Sequence, residues 1–258
     1  DKFSLYARDI PDDCRKLADR FSPGPLTFLL LKQDTVPDLV TAGSDKVAIR
    51  IPSHPVTMSL LQQLDFPLAA PSANPFGYVS PVTAQHVYAG LQGRIPYILD
   101  GGPCSLGLES TIVGFDSDGI ILYRHGAIPL ESIEEVTGKP VRQIVQHVQI
   151  DTPGQLKSHY APHIPLWVRD IDSLMQIQNK KKITVISFSK RYNYPEPAFQ
   201  FILSPSADLH EAARNLFNVL RQIDTLESDI ILAERFPEAG LGRAINDRLQ
   251  RAQAVFKA

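Results

Sequence analysis

Short apolar runs of strand length alternate with amphipathic stretches of helical period along the whole chain. That alternation confines the fold to an α/β layer architecture. Pro11-Asp12-Asp13 opens a helix with acids in its first turn, and Leu17, Ala18 and Phe21 form its apolar stripe. Ser22-Pro23-Gly24-Pro25 stops it, and 26–31 follows as a buried strand. Ahead of this helix, 5–8 reads as the end of a strand. Further strands are expected at 47–51, 97–99, 110–115 and 120–124. Helices are expected after Ser53-His54-Pro55 (with Leu60, Leu61 and Leu64), over 81–91 with Ser80 as cap, and over 129–136 before Gly138.

From about residue 141 the pattern changes. Segment 141–163 has no sustained period and carries Asp151-Thr152-Pro153-Gly154 and Tyr160-Ala161-Pro162. Its few Gly and Ser residues and several large side chains make it an ordered linker rather than a flexible tether. Strands at 166–168, 183–188, 199–203 and 230–233 then alternate with helices over 207–226 and 243–255. These make a second, smaller α/β domain over 164–258, beside a first over 1–140. The division is also electrostatic, at −5 for 1–140 and +3 for 141–258.

Composition narrows the function. A net charge of −2 lacks the basic excess of a protein held to duplex nucleic acid by its phosphates. No apolar run is long enough to span a bilayer, nothing reads as a signal peptide, and two cysteines are too few for a disulfide framework. The expectation is a cytoplasmic protein without a membrane partner.

No phosphate-binding G-x-x-x-x-G-K-[ST] loop and no G-x-G-x-x-G after a strand is present. His159 and His163 are separated by Pro162 and share no helical face, so no metal site is assigned. Gly107-Leu108-Glu109-Ser110-Thr111 has a strand after its serine where a nucleophile elbow needs a helix, and no catalytic nucleophile is assigned. What remains is a set of small polar residues and arginines at strand ends: Arg50, Ser72, Asn74, Ser80, Ser110-Thr111 and Arg124. Serine and asparagine serve routinely as caps and turn formers. Arginines at apolar strand ends are harder to explain that way, because an unpaired buried cation is costly. Beside hydroxyl-rich loops they point to a phosphorylated or carboxylated small molecule.

Ser22-Pro23-Gly24-Pro25-Leu26-Thr27, the run from Val47 to Pro55, Ala70-Pro71-Ser72-Ala73-Asn74 with Ser80-Pro81, Gly107-Leu108-Glu109-Ser110-Thr111-Ile112-Val113, and Tyr123-Arg124-His125-Gly126 follow one another along the chain. In that order and spacing they resemble the Sua5/YrdC family. Pro153-Gly154 with His159-Tyr160-Ala161-Pro162 is similar to the linker of the two-domain Sua5 type. The run from Glu238 to Leu249 is similar to the end of its C-terminal domain. The resemblance implies a YrdC-like twisted-sheet α/β domain over 1–140, a linker over 141–163 and a smaller Rossmann-like α/β domain over 164–258.

The activity it implies is synthesis of L-threonylcarbamoyladenylate from L-threonine, bicarbonate and ATP for the t6A modification of tRNA. By carry-over Arg50, Ser110 and the backbone at Ala70 hold threonine. Lys46, Ser72, Asn74, Ser80 and Arg124 hold ATP, with Tyr160 closing over the nucleotide and magnesium on the phosphates. Lys46 stands where the family often has a small hydroxyl residue. The implied partner downstream is the tRNA threonylcarbamoyl-transfer machinery, with at most weak contact to tRNA itself. The family's opening strand, T-x-Y-G-L segment and basic K-x-R stretch are not in this sequence, and a protein starting at Asp1 is expected to be inactive. The competing readings are an RNA-binding module without synthase activity and a carbamoyl-transfer module. The acidic balance of 1–140 argues against the first. The second is accompanied by acylphosphatase and zinc-finger domains that this sequence lacks.

Overall fold

The computed structural model describes residues 3–144, 160–171, 182–192 and 199–253. In chain order its elements are α1 (Phe3–Tyr6), α2 (Asp12–Phe21), β1 (Leu26–Leu31), α3 (Asp38–Thr41), β2 (Lys46–Ile49), α4 (Pro55–Leu61) and α5 (Ala84–Leu91). β3 (Thr111–Asp116), β4 (Gly119–Arg124), α6 (Leu130–Thr137) and β5 (Val141–Gln143) follow. The last are β6 (Leu166–Val168), β7 (Ile183–Ser187), β8 (Phe199–Ile202), α7 (Leu209–Ile223), β9 (Ile230–Ala233) and α8 (Leu241–Ala252). Two compact units form: Asp1–Pro71 with Glu109–Gln155, and Ser72–Leu108 with Leu156–Ala258.

The first unit is built on a five-stranded mixed sheet of order β2-β1-β3-β4-β5. Alternation along β1 sends Leu26, Phe28 and Leu30 into a core shared with Cys14 and Leu17 of α2, Ile133 of α6, and Val113, Ile120 and Leu122. Each such side chain removed from water contributes roughly 1.5–3 kcal/mol. Burial pushes the Cys14 thiol up to about 12, so it serves there as a small neutral filler. Gly138 ends α6 with a φ of 65°, a left-handed cap that glycine adopts without steric cost.

In the second unit, β6-β9-β7-β8 is an all-parallel sheet. Parallel sheets are covered on both faces, and their strands therefore read as continuous apolar runs, as Ile230–Ala233 does. α7 and α8 cover one face through Ala213, Leu216, Phe217, Leu220, Ile245 and Leu249. Ile171 packs with Ile183, Val185, Ile230 and Leu232 in a separate apolar cluster. Val79 and Val82, from the excursion Ser72–Leu108, join the larger of these cores. Among the described residues no helix is long and apolar enough to cross a membrane.

Three expectations about local structure fail. Residues 5–8 do not end a strand: Ala7 N–H donates to Phe3 O at 2.8 Å and closes a helical turn, leaving only an isolated bridge from Ala7 to Lys32. Segment 97–99 pairs with nothing in either sheet, and Tyr97 is 88% exposed; an apolar run without a neighbouring strand cannot satisfy its backbone. Ser80 does not cap α5. Thr83 does, its Oγ1 accepting from His86 N–H at 3.2 Å. Most of 141–163, including His159, lies outside the described residues.

Candidate functional site

In the first unit the candidate residues gather on the sheet face opposite the α2–α6 core. β1 turns Thr27 and Leu29 to that face, and β2, paired antiparallel with Leu29 against Ala48 and Leu31 against Lys46, turns Lys46 and Ala48 the same way. Extending this register by one residue puts Arg50 opposite Thr27. Arg50 is exposed and makes no ion pair or hydrogen bond among the described residues, and partial desolvation pushes its pKa down. A guanidinium remains charged at neutral pH regardless.

Arg124 reaches the same face because β4 is irregular. Val113 pairs with Leu122, but Ile112 pairs with Arg124, so Tyr123 is an extra residue. A bulge of this kind re-aims the side chains around it. Tyr123 packs with Leu29, Ile112 and Ile121, and Arg124, opposite Ile112, points the same way. The Arg124 guanidinium donates from Nε (3.1 Å) and Nη2 (2.9 Å) to Ser110 O, and from Nη2 to Ser110 Oγ at 3.1 Å. Ser110 Oγ in turn lies 2.7 Å from Thr27 Oγ1. Two residues that the resemblance assigns to different substrates are therefore in direct contact. Lys46 Nζ donates to the Tyr123 hydroxyl at 3.4 Å.

The segment carrying Ser110 is held by close backbone packing. Thr111 Oγ1 donates to Ile128 O at 2.7 Å, and Ala127 N–H donates to Glu109 O at 3.1 Å. Between these bonds sits Gly126. A Cβ there would lie 2.3 Å from Thr111 N, 2.4 Å from Ser110 C and 2.5 Å from Glu109 O. All three are backbone atoms, which cannot rotate away. Gly126→Ala should cost about 1–3 kcal/mol of stability. It should also displace Ser110 from Arg124 and Thr27, because the clashing atoms belong to Ser110 and its neighbours. Denaturant unfolding checks the loss of stability.

In the second unit Asn74 and Ser80 are linked through residues that the sequence did not mark. Asn74 Nδ2 donates to Pro75 O at 2.9 Å and to Tyr78 O at 3.0 Å. Arg221 of α7 donates to Ser80 O from Nε at 3.1 Å and to Val79 O from Nη2, with its guanidinium carbon 4.8 Å from the centre of the Tyr78 ring. The Tyr78 hydroxyl donates to Asp224 Oδ2 at 2.9 Å. Burial first, and then this bond to a carboxylate, push the Tyr78 pKa up to about 12. Tyr160 is 1% exposed, with a φ of 64°. Its ring stacks on Phe217 at 5.4 Å, and the Arg248 guanidinium lies 5.3 Å from its centre. Ser72 and Ala70 are exposed.

The family model described as "Telomere recombination" (Sua5, YciO and YrdC proteins) matches residues 1–126, and that described as "Threonylcarbamoyl-AMP synthase, C-terminal domain" matches 128–254. A threonylcarbamoyl-AMP synthase of Pyrococcus abyssi is 38% identical over 98% of this chain and 77% of its own length. The chain belongs to the Sua5/YrdC family.

A threonylcarbamoyl-AMP synthase of Bacillus subtilis is 37% identical over 94% of the chain and 73% of its own length. A crystal structure of P. abyssi Sua5 complexed with L-threonine superposes with a TM-score of 0.86 at 35% identity, covering 97% of this chain and 76% of that one. The sequence blocks first read as Sua5/YrdC-like include the residues now seen in contact, Thr27, Ser110, Arg124 and Gly126. The sequence motifs single out neither Thr27 nor the pair Arg221 and Asp224 as candidate site residues. A signal for Arg221 existed: it sits four residues after Phe217, on the apolar stripe of α7, where a cation needs partners.

Proposed function

We propose that this protein is a threonylcarbamoyl-AMP synthase that joins L-threonine, bicarbonate and ATP. The observation that carries the reading is the Thr27–Ser110–Arg124 cluster on the sheet face that also carries Arg50. Threonine's carboxylate suits Arg50, and its hydroxyl and amine suit Ser110 and the backbone at Ala70. ATP is assigned to Lys46, Ser72, Asn74, Ser80 and Arg124, with Tyr160 of the linker as a further contact. Relatives named for the same reaction, and a relative's structure with L-threonine bound, support the assignment.

The chemistry asks for positioning and charge neutralisation rather than a protein nucleophile. Threonine's amine takes up carbon dioxide or bicarbonate as a carbamate. A carbamate oxygen attacks the α-phosphorus, the bond from that phosphorus to the bridging oxygen breaks, and pyrophosphate leaves. Cations on the sheet face offset charge that accumulates as two anions approach. Among the described residues no three His, Cys, Asp or Glu side chains converge. We propose magnesium as a companion of the ATP phosphates, where it would neutralise part of the triphosphate charge. The product is a mixed anhydride prone to hydrolysis, and we place its consumer among tRNA threonylcarbamoyl-transfer enzymes of the cytoplasm. For function we divide the chain at 1–140, 141–163 and 164–258.

Pyrophosphate release by the full-length protein, measured with each substrate omitted in turn, tests the reading. Release should require ATP, threonine and bicarbonate together. Release that is indifferent to threonine would make the protein a nucleotide hydrolase instead.

A further inference from the structure

Helix α7 and its C-cap carry two charged side chains, Arg221 and Asp224, whose hydrogen-bond partners among the described residues lie in two segments, 74–80 and 160–164. Arg221 is 8% exposed and spends its donors on successive carbonyls, Val79 and Ser80, while its plane covers the ring of the preceding residue, Tyr78. Three consecutive residues of one segment are thus fixed by one guanidinium. Three residues on, Asp224 accepts from the Tyr78 hydroxyl (2.9 Å), from His163 N–H (2.9 Å) and from Ile164 N–H (3.3 Å). The two segments are also joined directly. Ala161 N–H donates to Gly77 O at 3.0 Å, and the Tyr78 and His163 rings stack at 4.8 Å.

Packing alone does not call for these residue types. A buried arginine loses hydration that a leucine or methionine on the same stripe would not, and burial does push the Arg221 pKa down. A carboxylate at the C-terminal end of a helix opposes the helix dipole. Among the described residues, the mutual attraction of Arg221 and Asp224 and their bonds to segments 74–80 and 160–164 offset both costs. One of these contains Asn74 and Ser80, and the other opens with Tyr160.

We propose that Arg221 and Asp224 are positioning residues for the nucleotide. They hold 74–80 in the conformation in which Asn74 and Ser80 meet ATP, and they set its register against the end of the linker. This rests on the assignment of Asn74 and Ser80 to ATP. It gives the C-terminal part of the chain a defined task in the reaction without placing any of its atoms on substrate.

Steady-state kinetics of threonine-dependent pyrophosphate release test it, with Asn74→Ala as the direct-contact control. Arg221→Met keeps the length and apolar packing, and Asp224→Asn keeps the shape. Each should raise KM for ATP about tenfold or more, the scale of one lost charged hydrogen bond, and leave KM for threonine within about twofold. Arg221→Lys should recover part of the loss, and Tyr78→Phe should reproduce part of the Asp224→Asn effect. A folded Arg221→Met with a lowered Tm but an unchanged KM for ATP would reduce Arg221 to a packing residue and overturn the proposal. If Arg221→Met does not fold, Asp224→Asn and Tyr78→Phe decide by the same criterion. Should Asn74→Ala also leave KM for ATP unchanged, the assignment of 74–80 to ATP fails, and the proposal falls with it.

Discussion

Arg124→Ala should weaken binding of ATP and of threonine together, although the side chain is assigned to only one of them. Its guanidinium donates twice to the Ser110 carbonyl and once to the Ser110 hydroxyl, so the residue proposed for the nucleotide also fixes the one proposed for threonine. A hydrogen bond from a charged donor contributes about 1.5–3 kcal/mol, and bonds sharing one partner do not add. Losses of about tenfold to a hundredfold in ATP affinity, and about tenfold in threonine affinity, are expected by calorimetry. Arg124→Lys should rescue little. A single ammonium cannot reproduce a fork that reaches a carbonyl and a hydroxyl at once. Ser110→Ala should reproduce the threonine effect and spare ATP. Unchanged threonine affinity in a folded Arg124→Ala would separate the two residues functionally and refute the clamp.

Tyr160→Ala should be the more damaging change for stability. The ring is buried between Phe217 and the Arg248 guanidinium, and Arg248 is itself fully buried. Truncating a buried aromatic side chain costs about 3–5 kcal/mol through lost transfer energy and the cavity left behind. A φ of 64° is strained for any residue with a Cβ, so alanine keeps that strain and the loss comes from the ring contacts. Urea unfolding should show the loss, whereas Tyr160→Phe should stay within about 1.5 kcal/mol of the parent. Equal stability of Tyr160→Ala and the parent would mean that the ring is not packed where the structure has it. Tyr160→Phe is consequently the variant with which to ask whether this residue also serves the nucleotide, because alanine would confound binding with folding.

The periodic part of this architecture could be read from residue order. Leu26–Leu31, Ile230–Ala233, and the helix that Gly138 closes stand where apolar period and capping place them. Less local features could not. Segment 97–99 has strand composition but no partner, and pairing is a property of two segments. The excursion Ser72–Leu108 packs its Val79 and Val82 against residues more than a hundred positions later, which no window of sequence reports. At the site, Arg124 stands out in the sequence as a cation at an apolar strand end, and the structure gives it Ser110 as a partner. Its orientation depends on one extra residue in β4, and a bulge leaves no mark in composition. Arg221 was legible as an arginine within an apolar stripe. Asp224, a lone acid after the last helical turn, was not, because its partners are backbone N–H groups and a tyrosine far along the chain.

The central claim is that one protein converts threonine, bicarbonate and ATP into a single mixed anhydride. Carbon-13 bicarbonate tests it most directly. The protein is supplied with labelled bicarbonate, unlabelled threonine and ATP, and the quenched reaction is analysed by mass spectrometry. Threonylcarbamoyl-AMP carrying one heavy carbon should form in step with pyrophosphate and should be strongly reduced by Arg50→Ala. Pyrophosphate accompanied by AMP alone, or product formed equally well by Arg50→Ala, would contradict it.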